Sequence, residues 1–252
     1  MLLKLAKLAW LLGLGAVCAI AQAPAGSSST PDLNTIVARM MAAQQRNRMQ
    51  ARPFTVKRDY QLLDKSQQEK AQVVAHITYM PPDQKEYRIE SSRGGLGEKI
   101  LRDVLEKETE APKNPDRKEL STENYDFQLL GTESMNGRLC YVVGLSPKRE
   151  EKDLIRGRMW VDAETYNVRR LAGNPAKNPS WWIRDVYILM IFADVDGMWL
   201  RTFTQAIANV RFKGKYEMVS RDIDYAPAAQ QLVRRVRRHA RPGILAGAAV
   251  NP

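Results

Sequence analysis

The chain has 252 residues, and its 39 Lys and Arg against 28 Asp and Glu give a formal net charge of +11. That surplus collects at the ends, with Lys4 and Lys7 near the start and Arg234, Arg235, Arg237, Arg238 and Arg241 in a final stretch without acids. The body is therefore only mildly basic, which argues against nucleic-acid binding.

In chain order, Lys4 and Lys7 precede an apolar run from Leu8 to Ile20 and the small-residue site Ala19-Ile20-Ala21. This is the pattern of an export signal over 1–21, cleaved after Ala21, and the run is short for a membrane span. Cys18 lies inside it, but Gly15 and Val17 do not supply the aliphatic and small residues that a lipid-modified cysteine needs. Cleavage leaves Cys140 alone, so no internal disulfide is available and packing must hold the core. One domain of about 200 residues can bury enough apolar surface for that. Residues 22–31, QAPAGSSSTP, have linker composition.

The domain is expected over 32–226. Asp32 caps a helix whose apolar stripe, Leu33, Ile36, Val37, Met40 and Met41, fades near Gln50. Phe54, Val56, Tyr60 and Leu62 alternate, as do Val73, Ala75, Ile77 and Tyr79, and a turn at Pro81-Pro82-Asp83 leads to a strand over 84–92. Gly94, Gly95 and Gly97 break the run before Leu96, Ile100, Leu101, Val104 and Leu105, spaced as a second amphipathic helix that ends at Ala111-Pro112. A charged loop over 113–118 follows.

Hairpins come next. Asn136-Gly137 joins strands over 127–133 and 138–145, strands over 156–162 and 167–171 pair across 163–166, and Asp196-Gly197 joins 186–193 with 198–210. Lys213-Gly214 precedes a last strand over 215–225, and an antiparallel meander is the expected topology. Residues 227–252 mix Ala, Pro, Gly and Arg as a basic disordered tail.

The residues that carry chemistry are few. There are two histidines, His76 within a strand and His239 within the tail, a thin supply for acid–base catalysis. Cys140, in Leu139-Cys140-Tyr141-Val142-Val143, reads as a small buried hydrophobe. Asp194 and Asp196 hint at a calcium loop, but Met198, Trp199 and Leu200 occupy the following ligand positions and a turn explains the acids. The glycines at 94–97 lack a following Lys-Ser or Lys-Thr and make no phosphate cradle. No catalytic residue, metal ligand or cofactor is expected.

The apolar excess remains. The segment Trp181, Trp182, Ile183, Val186, Tyr187, Ile188, Leu189, Met190, Ile191 and Phe192 is apolar on both faces, and Trp160, Trp199 and Phe203 stand on nearby strands. Such a strand needs two apolar partners. Either protein covers both faces, or a packed helix covers one and a ligand the other.

The order of parts resembles a known family. An export signal, the helix Asp32-Leu33-Asn34-Thr35-Ile36-Val37-Ala38-Arg39-Met40, the strand Phe54-Thr55-Val56-Lys57-Arg58-Asp59-Tyr60, the block Gly157-Arg158-Met159-Trp160-Val161-Asp162, and Gly214-Lys215-Tyr216-Glu217 leading to Asp224-Tyr225 are similar to the outer-membrane lipoprotein-sorting proteins, the LolA/LolB-like carriers. The resemblance implies a mainly β, α+β fold: a strongly curved antiparallel sheet forming an unclosed β-barrel, with helices on its concave face. It implies a periplasmic, non-catalytic binder of acyl lipid or lipoprotein, with Trp160, Trp182, Ile188, Met190, Phe192, Trp199 and Phe203 as candidates for the cavity. Strand alternation forbids all seven facing inward. A sensor of the same fold, reporting lipid or misfolded protein to a membrane partner, is the alternative. The basic tail could then meet an anionic membrane surface or an envelope protein.

Overall fold

The computed structural model describes residues 30–82, 84–110 and 115–227. The expected export signal, the linker up to residue 29 and the arginine-rich tail beyond residue 227 lie outside the described residues.

Helix α1 (Leu33–Met49) starts where Asp32 accepts hydrogen bonds from the Thr35 backbone N–H at 3.0 Å and the Thr35 hydroxyl at 2.7 Å. Arg46 and Arg48 lie in its last turn, where cations meet the negative end of the helix dipole. Strands β1 (Phe54–Asp64), β2 (Glu69–Met80) and β3 (Gln84–Arg93) lead to helix α2 (Leu96–Thr109). After a 3-10 turn at Pro115–Lys118 come β4 (Tyr125–Met135), β5 (Arg138–Pro147), β6 (Ile155–Asp162), β7 (Val168–Pro175), β8 (Ile183–Val195), β9 (Met198–Val210) and β10 (Gly214–Pro227).

Local chemistry explains the turns. Asn136 and Gly137 have φ of 52° and 75°, and Asp196 and Gly197 have 53° and 77°, the positive pairs that tight hairpins require. Strand β8 starts three residues before the apolar pattern suggests, because Ile183 and Arg184 pair with Val210 and Asn209 ahead of a register shift. Gly94, at φ 115°, packs so closely on β2 that a Cβ there would stand 2.3 Å from the Lys70 carbonyl oxygen. The close approach of the β3–α2 connection to β2, together with the left-handed φ, is the reason for that glycine.

The ten strands form one antiparallel sheet in the order β3-β2-β1-β10-β9-β8-β7-β6-β5-β4. The long-range pairing of β1 with β10 joins the first three strands to the last seven. Edges β3 and β4 do not pair with each other, so the barrel is unclosed. Edge β3 carries Lys85, Glu86, Arg88, Glu90 and Arg93, charges that discourage further strand addition.

Following the register across the sheet shows which side the helices occupy. Val56 faces Ile77, Tyr60 faces Val73 and Ser220, Ser220 faces Thr204, and Thr204 faces Met190. Met190 then faces Leu171, Leu171 faces Met159, and Met159 faces Val143. All of these belong to one face. Ile36, Val37, Met40 and Ala43 of α1 pack on that face over β5, β6 and β7, and Leu101 and Leu105 of α2 pack on it over β1 and β2. Fully burying each of these side chains larger than alanine is worth roughly 1.5–3 kcal/mol, and two apolar clusters on one sheet face result.

Candidate functional site

Between the two clusters lies a strip that neither helix fully covers. On the helix side of β8, β9 and β10, Ile188, Met190, Phe192, Ala206 and Met218 are all half-buried. Thr204 sits in the middle of the strip, between Met190 and Ser220, at only 8 % exposure. Among the described residues, its hydroxyl oxygen is buried without a hydrogen-bond partner. An unpaired buried hydroxyl costs free energy, so its place beside an apolar strip marks a position where a polar ligand atom would be favoured.

The strip is bounded on the α2 side by buried charge. The Arg58 guanidinium pairs with Glu108 and Asp222 and donates to the Arg201 carbonyl at 3.3 Å. The Tyr60 hydroxyl donates to Glu108 at 2.8 Å, Arg201 pairs with the same carboxylate, and Lys85 Nζ donates to the Glu108 carbonyl at 3.2 Å. Burial alone would push the Glu108 carboxyl up, but Arg201 and Arg58 outweigh it and hold the group at about 2. Burial raises Asp222 and Tyr60, and Arg58, despite its own burial, is held more firmly protonated by Glu108. Every member has a partner within the cluster, so it ties the last turn of α2 to β1, β9 and β10.

On the α1 side is an open, largely polar groove of about 580 Å³, lined in part by Arg39, Arg46, Asn47, Tyr166, Asn167 and Trp199. Arg39 donates to the Tyr166 hydroxyl at 2.9 Å, and Asn47 Nδ2 donates to Asn167 Oδ1 at 2.9 Å.

The seven apolar candidates therefore separate. Ile188, Met190 and Phe192 come together on the strip, packed against the α1 cluster. Trp199 is on the same face but lines the polar groove, its indole N–H donating to the Val168 carbonyl at 2.8 Å. Trp160 is on the opposite face, 4 % exposed among Cys140, Val142 and Ala172, and its indole N–H donates to Glu133 at 2.7 Å. Phe203, paired with Ile191 and Arg221, shares that opposite face. Trp182 precedes β8 and is 44 % exposed.

The remaining sequence candidates have structural partners. His76 Nε2 lies 2.6 Å from Glu90, which also accepts from Lys57 Nζ at 2.7 Å. Cys140 is fully buried, and burial pushes its thiol up, away from the reactive thiolate. Asp194 accepts the Gly197 backbone N–H at 3.0 Å, as a hairpin-turn residue does.

Sequence reading missed Arg58, Glu108, Arg201, Asp222 and Thr204. One signal was present: Arg58 interrupts the alternation of Val56, Tyr60 and Leu62 with a charge on the apolar face.

Among solved structures, the chain is similar to a putative outer-membrane lipoprotein-sorting protein domain from Vibrio parahaemolyticus, at 12 % identity and TM-score 0.42 over 75 % of this chain and 91 % of that one. It is similar to a LolA superfamily protein from Nitrosomonas europaea, at 12 % identity and TM-score 0.40 over 78 % and 93 %. A MucB solved in complex with MucA(peri) matches at 12 % identity and TM-score 0.24 over 79 % and 96 %. No curated protein matches. The family model of the MucB/RseB N-terminal domain matches residues 40–167, half of the chain, running from α1 through the β6–β7 turn. The chain belongs to the MucB/RseB N-terminal domain family.

Proposed function

We propose that this protein is a non-catalytic module of the periplasm that holds an acylated lipid or lipoprotein in the strip between α1 and α2. The observation that carries the reading is the half-buried apolar row Ile188, Met190, Phe192, Ala206 and Met218 with the unpaired Thr204 hydroxyl in its midst. An acyl chain would supply the missing apolar cover, and its ester or amide carbonyl would accept from Thr204. Each methylene removed from water gains about 0.8 kcal/mol, so a chain of ordinary length gains on the order of 10 kcal/mol before entropy costs. No covalent step is required.

The test is native mass spectrometry with lipid extraction on protein recovered from the cell envelope. Near-stoichiometric acyl lipid or lipopeptide is expected with the parent chain, and its loss with Ala206→Trp, which fills the strip. A lipid-free mass that persists after challenge with lipid overturns the reading.

Family membership favours a second reading, a sensor that binds lipid or misfolded protein and signals to a membrane partner. A MucB, after all, has been solved with MucA(peri). Deleting residues 227–252 separates the two: a carrier keeps its lipid and loses nothing else, whereas a sensor that signals through the tail loses its partner or its membrane association.

A further inference from the structure

At the end of the sheet where β8 begins and β9 turns into β10, three aromatic side chains face water. Phe212 is 95 % exposed, Trp181 73 %, and Trp182 is the third. They form one tip: the Arg211 backbone N–H donates to the Trp182 carbonyl at 2.9 Å, and the Arg211 guanidinium lies 5.2 Å from the centre of the Trp181 ring. Phe212 holds φ at 68°, a left-handed conformation that glycine or asparagine adopts far more readily than a bulky residue. A phenyl ring in that place packs on nothing and strains its own backbone, so it contributes nothing to folding in water.

Basic side chains outnumber acids along the segments that carry the rings. Lys177, Arg184, Lys213 and Lys215 are exposed, and Arg211 is half-buried. The nearby acid, Asp185, accepts from Asn209 Nδ2 at 3.0 Å. Protein interfaces usually place aromatic anchors within a broad packed patch, whereas these sit at the end of the sheet, on segments that also carry exposed cations. Aromatic rings with a polar edge, flanked by long basic side chains, suit the boundary between lipid headgroups and acyl chains.

We propose that this tip docks the protein on an anionic membrane surface, with Trp181, Trp182 and Phe212 entering the interface while Arg184, Arg211 and Lys213 meet lipid phosphates. The site is distinct from the strip between the helices, so either proposal can fail without the other.

The experiment is co-sedimentation of the protein, as recovered from the cell envelope, with vesicles of phosphatidylcholine alone and of equal parts phosphatidylcholine and phosphatidylglycerol. Binding to the mixed vesicles is expected, weakening with salt. A W181A/W182A/F212A variant should bind roughly a hundred-fold more weakly, and R211A/K213A about thirty-fold more weakly. Because the three aromatics are exposed, thermal melting should be unchanged. Brominated acyl chains should quench tryptophan emission of the parent protein, a readout that needs no variant, and the quenching should shrink in W181F/W182F. Binding that survives the aromatic substitutions assigns membrane association to the arginine-rich tail and overturns the proposal. Absence of binding to mixed vesicles also overturns it and leaves the tip as a protein contact.

Discussion

The two helices sit on the same face of one sheet but are held there by different physics. Helix α1 buries four side chains, Ile36, Val37, Met40 and Ala43, in a large apolar cluster. Its rim contacts run through neutral acceptors, with Gln44 Nε2 donating to the Leu120 carbonyl at 3.2 Å besides the contacts to Tyr166 and Asn167. Its ion pair, Arg48 with Glu119, is at the surface, where such pairs contribute little. Helix α2 buries only Leu101 and Leu105, and its last turn depends on Glu108. An acid near a helix C-terminus opposes the dipole, so Glu108 is tolerable there only because Arg58 and Arg201 surround it. The difference teaches that one wall of the strip is fixed by packing and the other by ionisation.

The strongest way to break that comparison is Arg58→Ala. It leaves Glu108 and Asp222 without their shared cation, and removing one partner of a buried ionic cluster costs about 3–5 kcal/mol. Urea unfolding should report that loss, and hydrogen exchange should show α2 losing protection while α1 keeps it. Uniform loss in both helices would mean that the cluster supports the whole sheet rather than one wall. Arg58→Met with Glu108→Leu and Asp222→Asn should recover much of the stability, since replacing a buried ionic group together with its partners is often neutral, but α2 would then have lost its ionic latch.

Acid comes next. Glu108 falls from an ordinary 4.5 to about 2 in the folded chain, a depressed pKa. Its contribution is therefore fully present above about 4.5 and fades as the pH drops toward 2, roughly 3 kcal/mol in all. Asp162 behaves likewise: burial would raise it, but Arg138 and the backbone N–H groups of Thr165 and Glu164 hold it at about 2, for roughly 2 kcal/mol. Asp222 has the opposite sign, because burial raises it and its contribution is lost as pH rises. Glu108→Gln should flatten the stability profile between pH 4.5 and 2, leaving the part that belongs to Asp162 and to the other carboxylates held low, such as Asp64 and Glu217. An unchanged profile would show that Glu108 is not the group that titrates.

Much of this architecture is legible in the sequence because local rules agree with the fold. The Asp32 cap, the Asn136-Gly137 and Asp196-Gly197 turns, and the alternation of Val73, Ala75 and Ile77 each specify their element without help from distant residues. The strip and the cluster are not legible in that way. Glu108 reads as one charge among many in Leu105-Glu106-Lys107-Glu108-Thr109, and only the pairing of β1 with β10 brings Asp222 to Arg58. The apolar excess in 181–192 was visible, but its division was not. Register sends Met190 to the helix side and Ile191 to the other, where it shares a face with Phe203, and register is set by strand pairing rather than by composition.

The finest test of the comparison is Tyr166→Phe. Tyr166 is buried against Tyr141, their ring centres 6.1 Å apart, and its hydroxyl accepts from Arg39 of α1. The substitution removes that acceptor and leaves the ring, its packing and the left-handed backbone of the residue as they are. If α1 is held by its apolar stripe, the loss is the part-buried hydrogen bonding of this hydroxyl with Arg39 and Tyr141, about 1–2 kcal/mol, the same at pH 7 and at pH 4, read from the urea midpoint. A loss as large as that from Arg58→Ala would mean that α1, too, is latched by a polar contact, and the strip would then have two releasable walls instead of one.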